Sequence, residues 1–184
     1  MDEDWPTLQA IAAGREDALV KLMDRYRQSI FRLAYRFAGN PSDAQELTED
    51  VFTRIFFEAK RYRPKATVRQ WIFTIAANRC RDFLRHRQRH PRTEQILESE
   101  SAGAADPSAD AADAVESREL AREIADAIAS LPEKLRLPFV LCLLEDHSQE
   151  DAAAILGISR KAVETRIYRA RRHLQALLSP PPSR

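Results

Sequence analysis

Five residues between 71 and 85 stand three or four apart: Trp71, Thr74, Asn78, Arg81 and Arg85. On a helix, such steps place side chains on one face. That face carries an indole, a hydroxyl, an amide and two guanidinium groups. The basic loop residues Arg63, Lys65 and Arg69 lead into it. Aromatic planes stack on unpaired bases, amides and hydroxyls meet base edges, and arginines hold the backbone. The set therefore suits a nucleic acid strand whose bases have left the duplex. Trp71 alone reads as an ordinary core residue; the complete face favours the binding reading.

A second constellation spans residues 148–174. Ser148-Gln149-Glu150-Asp151 has the form of a capping box, with the Ser148 oxygen near the Asp151 amide. A short helix from Asp151 to Leu156 ends at Gly157, which suits a left-handed turn residue. Ile158 plugs the core and Ser159 caps a second helix, Arg160 to about Leu178. Val163, Ile167, Ala170, Leu174 and Leu177 point inward. Arg160, Lys161, Glu164, Thr165, Tyr168, Arg169, Arg171 and Arg172 point outward. This is a helix-turn-helix pattern, whose second helix would offer its first turns to base edges and its arginines to phosphates. The plainer alternative is a helical hairpin with a basic face.

A third signal lies at residues 43–56. Asp43, Glu46, Glu49 and Asp50 form an acidic side next to Phe52 and Phe56. The two phenylalanines lie off the Leu47, Val51, Ile55 stripe. They mark either a partner surface or a wider core stripe.

These groups need helices to position them. Leu19, Leu22, Met23, Tyr26, Ile30, Leu33, Ala34 and Phe37 repeat at helical spacing until Gly39-Asn40-Pro41. Ser42 is a candidate cap for the next helix, striped by Ala44, Leu47, Val51, Ile55, Ala59 and Tyr62. After the break at Arg63–Thr67, a third helix carries Val68, Ile72, Ile75, Ala76, Arg79 and Phe83 along one side. Leu120, Ile124, Ala127, Ile128 and Leu131 mark a helix ending before Pro132, which suits the first turn of its successor. Pro138 starts that successor late or kinks it. Phe139–Leu144 has strand-like composition, but its helical neighbours favour a buried helix. No segment alternates between hairpin turns. The expected fold is all-α: two small helical domains, about 5–90 and 116–178, joined by a flexible acidic linker over 91–115. The C-terminal domain carries the helix-turn-helix.

Composition sets the frame. The 184 residues are 44% hydrophobic and 31% charged, with a net charge of +1, which excludes a fully disordered or uniformly basic chain. The balance conceals segregation. Residues 60–92 hold eleven Lys/Arg against Asp82, a net of +10. Residues 93–119 reach −7, and residues 158–178 reach +5. Two basic clusters around an acidic one point to nucleic acid. No apolar run spans a membrane, no secretory signal opens the chain, and Cys80 and Cys142 make no disulfide framework. A cytoplasmic protein is expected. Four glycines leave no Gly-rich phosphate loop. Cys80, His86 and His90 lack a fourth metal ligand, and no catalytic constellation is placed by any motif. The expectation is a non-enzyme without cofactor.

Taken in order, the three signals resemble the extracytoplasmic-function sigma factors of bacteria, the smallest initiation factors of the sigma-70 type. Asp43–Arg54 looks like the family's polymerase-binding helix. Trp71–Arg85 is similar to its promoter-melting helix. Leu131-Pro-Glu-Lys-Leu-Arg136 and the helix-turn-helix look like its fourth region. The resemblance implies core RNA polymerase as a partner through Asp43, Glu46, Leu47, Asp50, Phe52, Arg54 and Phe56. It implies promoter DNA, melted at the minus-ten element over Arg63–Arg69, Trp71 and Asn78, and duplex at the minus-thirty-five element over the recognition helix. It also implies an anti-sigma factor and no membrane insertion. One departure stands out. Lys161-Ala-Val-Glu-Thr-Arg166 replaces a Gly-Thr-Val-Lys-Ser-Arg-like start, so Glu164 is acidic where many members are basic. It would accept from a cytosine amino group or pair with a neighbour such as Arg160. The rival reading is a dimeric duplex-binding regulator with an effector-sensing N-terminal domain; co-purification with core polymerase separates the two.

Overall fold

Helix-terminating residues divide the chain into short rods that pack across one another. The computed structural model describes residues 2–89 and 111–178. Among them are eight α-helices: α1 (Trp5–Ala12), α2 (Glu16–Ala38), α3 (Pro41–Glu58), α4 (Val68–Arg89), α5 (Ala111–Ser130), α6 (Glu133–Leu143), α7 (Gln149–Leu156) and α8 (Arg160–Leu178). A single 3-10 turn, Ala59–Arg61, follows α3. No strand occurs among the described residues, as the all-α reading expects.

Local chemistry accounts for the ends. Gly39 at φ 79° closes α2 in the left-handed region, with its N–H bonded to the Tyr35 carbonyl. Asn40, not Ser42, caps α3: its side chain accepts from the Asp43 N–H at 2.9 Å, and Pro41 takes the first turn. Pro132 caps α6 from just outside it, and α6 continues through Pro138. Pro138 therefore does not start the helix late. Ser148 accepts from the Asp151 N–H at 3.0 Å, and Gly157 closes α7 at φ 65°. Ser159 then accepts from the Ala162 N–H at 3.2 Å to start α8. The helix-turn-helix forms where its sequence pattern places it.

Three features differ from the sequence reading. Helix α1 carries no long periodic stripe, yet Leu8 and Ile11 are fully buried against α2 and the 3-10 turn. Helix α5 begins at Ala111, inside the span read as linker, and residues 90–110 lie outside the described residues. Leu120, Ile124 and Leu177 are exposed rather than core-facing.

The two halves share one apolar cluster. It runs from Leu22, Ile30 and Phe37 in α2, through Ile72 and Phe73 in α4, to Leu141, Ile155 and Val163 in the C-terminal helices. Phe73 meets the His147 ring edge-on at 4.3 Å. Polar contacts frame this junction. The buried Glu145 carboxylate accepts from Arg32 at 3.0 and 3.2 Å, and its carbonyl accepts from Arg69 at 2.8 Å. Gln70 donates to Asp151, and Arg81 lies 3.6 Å from Glu133. Arg136 covers the Phe37 ring at 5.1 Å. It also donates to the Ala129 and Leu131 carbonyls at the end of α5 and to the Arg36 carbonyl of α2. The N-terminal cations are thus matched by groups of the C-terminal half.

His147 makes this junction sensitive to acid. Only 4% exposed, it leaves Nε2 without a hydrogen-bond partner. Burial, and then the nearby Arg69, push its pKa down to about 4, against the opposing pull of Asp151 and Asp146. The packed state holds neutral imidazole, whereas separated domains return it to an ordinary pKa near 6.5. The closed state therefore has its full stability above about pH 6.5 and loses it as pH falls toward 4, about tenfold per pH unit within that window. Small-angle scattering between pH 7.5 and 5 should show domain separation. His147→Gln should flatten this response relative to the unaltered chain.

Candidate nucleic-acid interfaces

Helix α4 is set by its start. Thr67 and Gln70 cap it reciprocally: the Gln70 N–H donates to Thr67 Oγ1, and the Thr67 N–H donates to Gln70 Oε1, both at 3.2 Å. The Val68 N–H donates to the carboxylate of Asp2, from the far end of the domain, at 2.5 Å. Val68, Ile72, Phe73, Ala76, Ala77 and Cys80 turn into the core. The opposite strip is left for Trp71, Thr74, Asn78, Arg81 and Arg85.

Each predicted residue of that strip has a definite place. Asn78 and Arg85 are exposed, whereas Trp71, Thr74 and Arg81 are half-buried. Trp71 meets Tyr62 edge-on at 5.3 Å. The Thr74 hydroxyl donates back to the Gln70 carbonyl at 2.8 Å, so its proton is committed within the helix. Arg81 donates to Asn78 Oδ1 at 2.9 Å, tying the two into one polar unit. Arg85 lies 3.5 Å from Asp82. Arg63 and Lys65 stand exposed on the preceding loop. Arg69 does not join them: it is half-buried against Phe73 and the Glu145 carbonyl.

The structure adds residues that periodicity does not reveal. Tyr62, Trp5 and the loop before α4 line an open surface cavity of about 440 Å³, also lined by Asp2, Lys65, Thr67 and Gln70. Trp5 and Tyr62 stand 5.3 Å apart, tilted by 42°. Trp5, Tyr62 and Trp71 thus form an aromatic chain leading from the cavity to the α4 strip. The Trp5-Pro6 pair at the head of α1 is the one sequence signal for it.

On α8, Val163, Ile167 and Ala170 are buried. Arg160, Lys161, Glu164, Tyr168, Arg169, Arg171 and Arg172 are exposed, with Thr165 half-buried. Tyr168 is 61% exposed, an aromatic with no core role. Glu164 pairs with Lys161 at 2.9 Å, not with Arg160, which instead reaches Glu150 of α7 at 2.7 Å. Arg160 and Lys161 both stand one turn before Glu164; Glu150 of α7 draws Arg160 away and leaves Lys161 to Glu164. Thr165 donates to the Lys161 carbonyl at 2.8 Å. Asp151, buried enough to disfavour its charge, is nonetheless held below the usual carboxylate range by bonds from Ser148 and Gln70.

The acidic-aromatic reading of α3 needs correction. Phe52 is 3% exposed and Leu47 is also buried, so both belong to the core. With Val51 and Ile55 they form the wider stripe, because α1, α2, α4 and the 3-10 turn surround α3 on more than one side. Phe56 packs partly on that core. Phe57, not singled out in the sequence, is 73% exposed and meets Phe56 edge-on at 5.7 Å. Glu46 is exposed, and Arg54 pairs with Glu58 at 2.7 Å. Asp50 pairs with Arg79 of α4, while Asp43 accepts from the Asn40 amide at 2.9 Å.

The candidate metal ligands noted in the sequence do not come together among the described residues. Cys80 is buried, and its thiol is pushed up to about 12, chiefly by burial. His86 is exposed, so it cannot share a metal with Cys80, and His90 lies outside the described residues. Among the described residues no His, Cys, Asp and Glu cluster could hold a metal, and no helix is long and apolar enough to cross a membrane.

Known proteins share both halves in the same order. Residues 22–90 match the family described as sigma-70 region 2, and residues 121–174 match sigma-70 region 4. The chain is 33% identical over 190 residues to the ECF RNA polymerase sigma factor SigE of Mycolicibacterium smegmatis, covering 97% of this chain and 72% of that one. It is 34% identical over 182 residues to the RNA polymerase sigma factor CnrH of Cupriavidus metallidurans, covering 96% and 95%. It is also similar to the solved structure of CnrH in complex with the cytosolic domain of CnrY, with a TM-score of 0.71 at 28% identity over 95% of this chain and 96% of that one. A cavity-flanked basic helix followed by a helix-turn-helix, matched along nearly the whole chain, leads to one conclusion: the protein belongs to the extracytoplasmic-function group of the sigma-70 family, the RNA polymerase sigma factors that direct promoter-specific initiation of transcription.

Proposed function

We propose a division of labour in which α4 and its preceding loop read the melted minus-ten element, α8 reads the minus-thirty-five duplex, and the outer face of α3 binds core polymerase inside the cell. The observation that carries this reading is the contrast between the two basic surfaces. Beside α4 lies a cavity walled by Trp5 and Tyr62, a shape that takes a base out of its stack. Helix α8 instead presents an exposed row of polar and cationic side chains, a shape that enters a major groove.

On α3 the contact falls to Phe57 and Phe56 with Glu46, Asp50 and Arg54 around them. Phe52 and Leu47 serve as its foundation. An exposed aromatic beside charges is the usual anchor of a protein interface. Regulation is of the anti-sigma type, a reading supported by the similar CnrH having been solved with the cytosolic domain of CnrY. Domain closure adds a second level. Arg69 and Gln70 at the start of α4, and Arg81 past its middle, are occupied by Glu145, Asp151 and Glu133 of the C-terminal half. Polymerase binding would have to part them before α4 meets a strand.

The two DNA surfaces should separate experimentally. In reconstituted holoenzyme, Asn78→Ala should change base preference in the minus-ten element only and impair opening of duplex templates. Glu164→Ala should change preference upstream and leave a pre-melted template unaffected, each by about 1–3 kcal/mol at the affected base. Arg171→Ala should weaken all promoters alike and reduce the salt slope by about 1. A shift in the wrong element would sink the assignment. On α3, Phe57→Ala should weaken core binding by about 2 kcal/mol with thermal stability unchanged. Phe52→Ala should instead lower stability by about 3–5 kcal/mol. Pull-down with core enzyme beside calorimetry distinguishes the two.

A further inference from the structure

The cavity beside α4 has a wall that comes from outside the helices assigned to DNA. Asp2 and Trp5 precede or begin α1, yet both line the space in front of the α4 N-terminus. The segment is anchored by its own side chains. Asp4 is buried, accepts from Arg25 at 2.6 Å and from the Tyr26 hydroxyl, and so pins the segment to α2. Asp2 Oδ1 accepts from the Asp4 N–H at 3.1 Å, and Oδ2 accepts from the Val68 N–H. Each carboxylate oxygen has two acceptor positions, so one on each remains beyond these bonds. Tyr62 forms the back of the cavity. It is buried, and its hydroxyl is committed to the Ala66 carbonyl. Trp5 is only partly buried and offers ring surface beside it.

This chemistry discriminates among bases. A carboxylate accepts and never donates, so it favours a base edge bearing an exocyclic amino group and disfavours thymine, whose single N3–H donor stands between two carbonyl oxygens. The same negative charge repels a phosphate, which must stay at the mouth, where Lys65 stands exposed. Gln70 adds an amide that is bonded to Asp151 while the domains are packed together. Domain separation therefore frees a second polar group on the same wall.

We propose that Asp2 and Trp5 are specificity-determining residues for the minus-ten element: Trp5 stacks on one unpaired base of the melted strand, and Asp2 selects an amino-bearing base over thymine at that position. The proposal rests on the reading that this cavity receives an unpaired base, and it adds which residues choose that base.

The test uses holoenzyme reconstituted from the full chain, with any tag placed after Arg184. Pre-melted promoters carry each of the four bases at each minus-ten position in turn. Asp2→Ala should reduce the preference for an amino-bearing base over thymine by about tenfold at one position. Asp2→Asn keeps a capping oxygen for α4 but adds a donor. It should move the preference at that same position toward thymine, an effect that a purely structural cap would not produce. With 2-aminopurine at that position, the unaltered chain should quench its fluorescence. Trp5→Leu should release the quench, and Trp5→Phe should restore part of it. Unchanged preference in both Asp2 variants, or an equal loss at every position, overturns the proposal. A flat profile in Asn78→Ala as well would mean that the reading of α4 as the minus-ten surface itself fails. A retained position-specific effect in Asn78→Ala, with none in the Asp2 variants, would leave that reading standing and remove only the role of Asp2 and Trp5.

Discussion

The seat of His147 against Phe73 is the contact on which the arrangement of the two halves depends. Phe73 is buried and belongs at once to the core of the N-terminal helices and to the junction with α7. An aromatic edge contact at 4.3 Å requires water to be absent from both rings, and this leaves the imidazole Nε2 without a partner. The electrostatics around it follow from that dryness. Glu145 carries a charge into the same junction and is tolerable there because Arg32 holds its carboxylate. A buried ion pair of this kind adds little net stability, but losing one partner is costly. It therefore fixes geometry more than it contributes free energy.

The same constraint gives α4 two incompatible tasks. Its inner face anchors the N-terminal core. Near its start, Arg69 and Gln70 bond to the C-terminal half, immediately beside Trp71 and the aromatic cavity. A helix has only so many faces, and residues one apart lie about 100° from one another. Arg69 and Gln70 thus point toward α7 and its preceding loop, while Trp71 turns toward Tyr62. Closure and DNA reading compete for neighbouring side chains, which couples the shape of the protein to its binding state.

A helix that reads an unpaired strand must also be stiff at the end where the bases arrive. Three devices serve the start of α4: the reciprocal Thr67 and Gln70 cap, the Asp2 carboxylate on the Val68 N–H, and the Tyr62 hydroxyl on the Ala66 carbonyl. Each satisfies or orders backbone groups that a helix terminus or loop otherwise leaves to water. The loop from Arg63 to Thr67 consequently presents Lys65 and the cavity mouth from an ordered frame.

Local chemistry made much of this protein legible in its sequence alone. The Gly39 stop, the Ser148 cap, the Gly157 turn and the Ser159 cap act over four or five residues, so their neighbours in the chain suffice to define them. Helical periodicity likewise identified the outward row on α8 and the strip from Trp71 to Arg85. Burial of Phe52 and exposure of Leu177 were decided elsewhere. Periodicity gives the direction of a side chain around its helix axis but not how many neighbours surround that helix. Helix α3, flanked by α1, α2, α4 and the 3-10 turn, needs a wide apolar face; the last turn of α8 does not. The pairing of Glu164 with Lys161 rather than Arg160 depended on where α7 places Glu150. The Asp2 cap on α4, the Arg32 to Glu145 pair and the seat of His147 join residues far apart in the chain. No local rule reaches that distance, because such partners meet only after the apolar cores have brought their helices together.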